Sequence, residues 1–192
     1  MPVVCGLDLG QTNDRSAFSA VEHIGNGDDA QFNLRLLQRF KVGMSYPEQV
    51  KRATDLMAMP QLREATLVVD QTGVGRPVVD MFRAAGLPVV AVTIHGGDAV
   101  SHEGMDWRVP KRDLVMSALT LMQSKRFKVA RALAETETFV KELLNFRIKI
   151  NLRTAHDSYE AWREGDHDDL VLSVSLACWF AQHGALPFGW KD

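Results

Sequence analysis

Residues 3–10 read V-V-C-G-L-D-L-G, an apolar run closed by an aspartate and a glycine turn. A short apolar run bounded by a turn signal describes a strand buried on both faces. A carboxylate at the end of such a strand, here Asp8, is costly unless water, hydrogen-bond donors or a cation compensates its charge. Residues 65–70, A-T-L-V-V-D, repeat the arrangement and put Asp70 at a second strand end. If the two strands are neighbours in one sheet, both carboxylates converge. One of them then takes up a proton unless a cation lies between them.

Working outward, residues 16–24 and 32–40 read as strands separated by the turn cluster G-N-G-D-D at 25–29. With the first strand they predict an antiparallel meander. Beyond Pro47 the period changes: Val50, Ala53, Thr54 and Met57 recur at helical spacing until Pro60 stops the run. After the strand at 65–70, Gly73 and Gly75 turn the chain into a helix opening at Arg76–Pro77, proline being suited to a first turn. It ends at Gly86, and residues 87–94 form a fifth strand, so this passage implies a parallel crossover. Residues 95–105 read as a glycine-rich loop, and 110–123 and 132–144 as helices. At 146–152, Arg147 and Lys149 alternate with Ile148 and Ile150, predicting a half-exposed strand, with a hairpin return or loop over 153–166. A last helix over 167–182 is apolar on nearly every side and is therefore buried. The order predicts an α/β fold in one domain over residues 1–192. Its mixed sheet joins a three-strand antiparallel meander to parallel strands, flanked by helices, with a hairpin or loop elaboration at about 145–166.

Composition fits one ordinary globular domain: 192 residues, 46% hydrophobic and 24% charged. No apolar stretch reaches the roughly 20 residues a bilayer requires. With no secretory pattern at the N-terminus, a cytoplasmic location is expected. Cys5 and Cys178 lie inside apolar segments without companions at metal-ligand spacing, and read as small buried hydrophobes. The net charge of −2 does not announce a nucleic-acid binder, but residues 108–153 hold eleven basic and four acidic side chains, a local balance of +7. That span, including Arg108, Lys111, Arg112 and Lys149, reads either as solvated faces or as a phosphate-contacting surface.

The third acidic contribution is His167–Asp168–Asp169, just before the buried helix. Helix capping alone accounts for one of these residues. A helix packed across the sheet would, however, carry its first turn to the edge that holds Asp8 and Asp70. Oxygen-only ligands suit two divalent cations, magnesium or manganese, and two such ions support in-line hydrolysis of a phosphodiester. His167 reads as a structural histidine at a helix start or as a group assisting proton transfer or orientation.

Taken together, G-L-D-L-G-Q-T-N-D at 6–14, V-V-D-Q-T-G-V-G at 68–75 and G-D-H-D-D-L-V-L-S at 165–173 resemble the nuclease domain of tailed-phage terminase large subunits, relatives of RuvC-type resolvases and ribonuclease H. R-V-P-K-R-D-L-V at 108–115 and Y-E-A-W-R-E-G-D-H-D-D at 159–169 share the resemblance. It implies a ribonuclease H-like fold and an endonuclease that cuts double-stranded DNA during viral genome packaging. Asp8, Asp70 and Asp169 would be the principal metal ligands and Asp168 an additional one, with Lys111 and Arg112 near the DNA. A packaging ATPase domain, a small terminase subunit and a portal would be the partners. The family's large subunits also carry an ATPase motor, and these residues contain no G-x-x-x-x-G-K-[ST] phosphate loop. Two rival readings stand beside this one. G-L-D-L-G-Q-T-N also looks like the first phosphate motif of the actin, sugar-kinase and heat-shock chaperone superfamily, which would make the chain an ATP-binding lobe. A RuvC-like junction resolvase would share the carboxylates but prefer branched DNA.

Overall fold

The computed structural model describes residues 2–10, 14–152 and 168–184, with the backbone alone for 146–152. The predicted meander is present as β1 (Val3–Asp8), β2 (Ala17–Ile24) and β3 (Gln31–Arg39), each antiparallel to the next. Helix α1 (Tyr46–Met57) starts at a capping box in which Ser45 and Glu48 satisfy each other's backbone N–H groups. Strand β4 (Thr66–Asp70), helix α2 (Arg76–Ala84) and strand β5 (Val89–His95) follow as the expected crossover. β4 lies parallel to both β1 and β5.

Beyond β5 the structure adds strands that the sequence reading missed. β6 (Ser101–Glu103) and β7 (Asp106–Pro110) form a hairpin, part of it in the stretch read as a loop, and β7 pairs parallel to β5. After α3 (Lys111–Gln123), β8 (Phe127–Val129) pairs parallel to β3. Helix α4 (Thr136–Leu152) overturns the strand expected at 146–152. Residues 142–152 contain no glycine or proline to stop a helix, so helical bonding propagates through the alternating segment. The remainder of the expected elaboration, 153–166, lies outside the described residues. The last helix is α5 (Asp169–His183).

The eight strands run in the order β6-β7-β5-β4-β1-β2-β3-β8. Alternation along the central strands divides the core in two. Cys5, Leu7, Leu67, Val69 and Ala91 pack against α1 and α2, whereas Val4, Val68, Val90 and Val92 pack beneath α3, α4 and α5. From Asp169 to Phe180 every residue of α5 is buried, as its unbroken apolar character requires. Gly6 permits its close approach to the sheet: a Cβ built there would lie 1.9 Å from the Ser173 carbonyl oxygen. Ser19 Oγ donates to that same oxygen at 2.9 Å, fixing the helix over β1 and β2. Both cysteines are buried and free, and burial pushes their thiols up, so they act as small core residues. Among the described residues, no helix is long and apolar enough to cross a membrane.

Candidate functional site

Parallel strands deliver their C-terminal ends to one edge of the sheet. In the β1–β4 ladder Leu7 pairs with Val69, so the next residues, Asp8 and Asp70, stand side by side. The same alternation decides where they face. Val4 and Val68 belong to the core beneath α5 and Leu7 and Val69 to the opposite one, so Asp8 and Asp70 turn toward α5.

A short turn fixes Asp70: its Oδ1 accepts the Thr72 N–H at 2.7 Å, and Thr72 Oγ1 accepts the Ile94 N–H at 2.7 Å. Gly73 and Gly75 then take positive φ (86° and 75°) to swing the chain into α2, the role expected for this glycine pair. The exit of β1 is bracketed by a buried network. Ser16 Oγ accepts the Gly10 N–H at 3.0 Å and donates to Gln49 Oε1 at 2.7 Å, while Gln49 Nε2 donates to the carbonyls of Gly10 (3.3 Å) and Met44 (2.9 Å).

Helix α5 brings the third contribution to this edge. Asp168 occupies its N-cap position, yet its side chain makes no capping hydrogen bond. The N–H groups of Leu170 and Val171 are instead accepted by Glu142 Oε2, from α4, at 3.0 and 3.4 Å. N-capping therefore does not explain Asp168. Asp168 Oδ2 lies 3.4 Å from Lys111 Nζ, at the start of α3.

Asp8, Asp70, Asp169 and Glu142 are all buried, at 8%, 7%, 8% and 7% exposure. Burial pushes Asp8 well above the ordinary carboxylate value, and the charges of Asp70, Asp169 and Asp168 push it further, against an opposing pull from Lys111. Burial, then the Asp169 charge, raises Glu142 to about 7, while its two backbone N–H partners and Arg39 oppose the rise. If all four aspartates ionise against Lys111, these described residues carry a formal excess of three negative charges in a largely buried site. An oxygen-only donor set of this charge fits hard divalent cations. Among the described residues the carboxylates share a field without forming a ready-made cluster of three metal-ligating side chains.

The other residues singled out in the sequence fall in different places. Lys111 and Arg112 open α3 at the carboxylate edge, because β7 runs parallel to β5. Arg112 is exposed and lies 3.5 Å from Asp98 and 3.8 Å from Asp113. Arg108 is exposed and is not brought to the aspartates. In β7, Trp107 packs on Trp179 of α5 and Asp106 pairs with Arg76 and Arg83 of α2, so Arg108 turns to the α2 face. His167 and the side chain of Lys149 lie outside the described residues. The residue that sequence reasoning missed is Glu142, counted there only as one acid within a basic span. It lies 28 residues from the N–H it caps, beyond the reach of a local capping pattern.

No protein-family model matches the chain, and no curated protein matches it by sequence. Solved structures do match it in three dimensions. The large terminase nuclease from thermophilic phage G20c superposes with a TM-score of 0.60 at 21% identity, over 94% of this chain and 81% of its own. The P22 large terminase nuclease domain gives 0.56 at 14% identity, covering 94% and 79%. The nuclease domain of the bacteriophage SPP1 large terminase, solved with bound Mn, gives 0.55 at 12% identity, covering 94% and 86%. A mixed sheet with an antiparallel meander, parallel crossovers and a buried helix across its centre thus gives this chain the ribonuclease H-like fold seen in the large-terminase nuclease domains.

Proposed function

We propose that the chain is a divalent-cation-dependent endonuclease that hydrolyses phosphodiester bonds of double-stranded DNA. What supports this reading is that Asp8 and Asp70 end neighbouring parallel strands and that Asp8 lies in the field of Asp70, Asp169 and Asp168. Two cations, magnesium or manganese, would be held by Asp8, Asp70 and Asp169 with Asp168 as a further ligand. When bound, they would supply electrophilic stabilisation of the phosphate and lower the pKa of an attacking water.

The chain's own groups supply the rest. Thr72 N–H fixes the Asp70 carboxylate through Oδ1, and the Ser16–Gln49 bracket holds the β1 exit beside it. Lys111 holds Asp168 and offers a positive charge to a phosphate at the same edge. Exposed Arg112 extends that positive surface along the start of α3. The likeness to terminase nuclease domains supports a role in viral genome packaging in the host cytoplasm. A packaging ATPase, small terminase subunit and portal would then be its partners.

Plasmid digestion tests the proposal. Nicking and linearisation are expected with manganese or magnesium and none with chelator, and Asp8→Asn and Asp70→Asn should reduce cleavage below detection with the fold retained. Cleavage by both variants at the parental rate would remove these residues from the site.

A further inference from the structure

We infer that Glu142 is a positioning residue for the metal centre: it caps α5 from a neighbouring helix, so that Asp168 faces the Asp8–Asp70 edge instead of serving its own helix terminus. The inference rests on the reading that these aspartates hold divalent cations.

A helix start leaves backbone N–H groups without internal partners, and the residue at the N-cap position ordinarily satisfies one of them. Aspartate is among the best residues for that task, and Asp168 occupies the position without performing it. Glu142 Oε2 takes the Leu170 and Val171 N–H groups instead. Using a distant, buried carboxylate is energetically poor if capping were the whole purpose. Glu142 is desolvated, lies in the field of Asp169, and leaves Oε1 buried with no hydrogen-bond partner among the described residues. A local cap by Asp168 would cost less, but it would turn that carboxylate back onto the helix and away from the sheet edge. With capping supplied by α4, the Asp168 side chain instead reaches Lys111 Nζ at 3.4 Å, at the edge where β1 and β4 end. Groups that orient metal ligands without touching the metal change affinity by roughly 10- to 100-fold when removed.

The test is manganese titration by calorimetry of the parent, Glu142→Gln, Glu142→Ala and Glu142→Asp, each well below its own melting temperature. The glutamine amide oxygen still accepts both N–H groups, so Glu142→Gln should keep affinity within about threefold, well below the loss expected when an orienting group is removed. Glu142→Ala should lose about tenfold or more while remaining folded. If Glu142→Ala does not fold, Glu142→Asp decides, because it keeps the charge but shortens the reach and should also bind more weakly. A purely structural role would lower melting temperature and leave the affinity of the folded protein unchanged. Parental affinity in the alanine or aspartate variant overturns the inference, as does an equal loss in Glu142→Gln. A parent that binds no manganese overturns the metal-site reading itself, a result distinguishable from either.

Discussion

Asp8 illustrates how one side chain couples folding to chemistry. Its carboxylate sits at the end of a strand with no local need for charge, desolvated and beside three other acids. In the metal-free protein that arrangement is unfavourable, so Asp8→Asn should raise the melting temperature measured in chelator while abolishing cleavage. A lower melting temperature would show that the carboxylate is stabilised by the protein alone. The pH dependence has a definite sign. Glu142 moves from an ordinary 4.5 to about 7 on folding, and Asp8 moves in the same direction. Between the ordinary and the raised values the folded chain binds more protons than the unfolded one. Stability from these groups is therefore complete below the ordinary carboxylate range and is lost as pH rises through the raised values. Urea midpoints in chelator should fall as pH rises from 4.5 to about 7, with a shallower fall in Glu142→Gln. Metal loading should strengthen as pH rises above the ordinary carboxylate range, since ligands must release their protons.

At the scale of elements, the site depends on how closely α5 lies on the sheet. Gly6→Ala would drive a methyl group into the Ser173 carbonyl and lift the helix. It should cost about 1–3 kcal/mol, and more if the backbone cannot yield, as read from urea unfolding. Ser16→Ala would leave the buried Gly10 N–H without its acceptor, costing about 1–3 kcal/mol and loosening the turn after Asp8. Parental stability in either variant would mean that these contacts do not hold the edge together. The elements legible in the sequence are those with long, distinctive patterns: the apolar β1 and β4 ending in aspartate, and α5 with its all-round apolar surface. β6 and β8 span only three residues each, too few for any period to register, and their pairing is set by distant strands. The alternation at 146–152 was a strand signal without the turn residues that would have ended α4. Two of the carboxylates were legible as strand ends and two as a helix start. Glu142 was not, because its significance arises only when α4 and α5 pack together.

For the whole molecule, a net charge of −2 conceals a division of labour. Acids concentrate where β1, β4 and α5 meet, and basic residues at the start of α3 flank them. A negative edge bordered by positive side chains suits a polyanion whose phosphate must approach carboxylates without being repelled over its whole length. Replacing Lys111 and Arg112 by glutamine should weaken DNA binding and reduce the slope of log affinity against log salt by up to about 1.8. An unchanged slope would place the phosphates elsewhere. The central claim, however, concerns the acids. Anomalous diffraction from crystals soaked in manganese tests it most directly. Density for cations at coordination distance from Asp8, Asp70 and Asp169 is the predicted result, and an edge that stays empty at saturating manganese would contradict it.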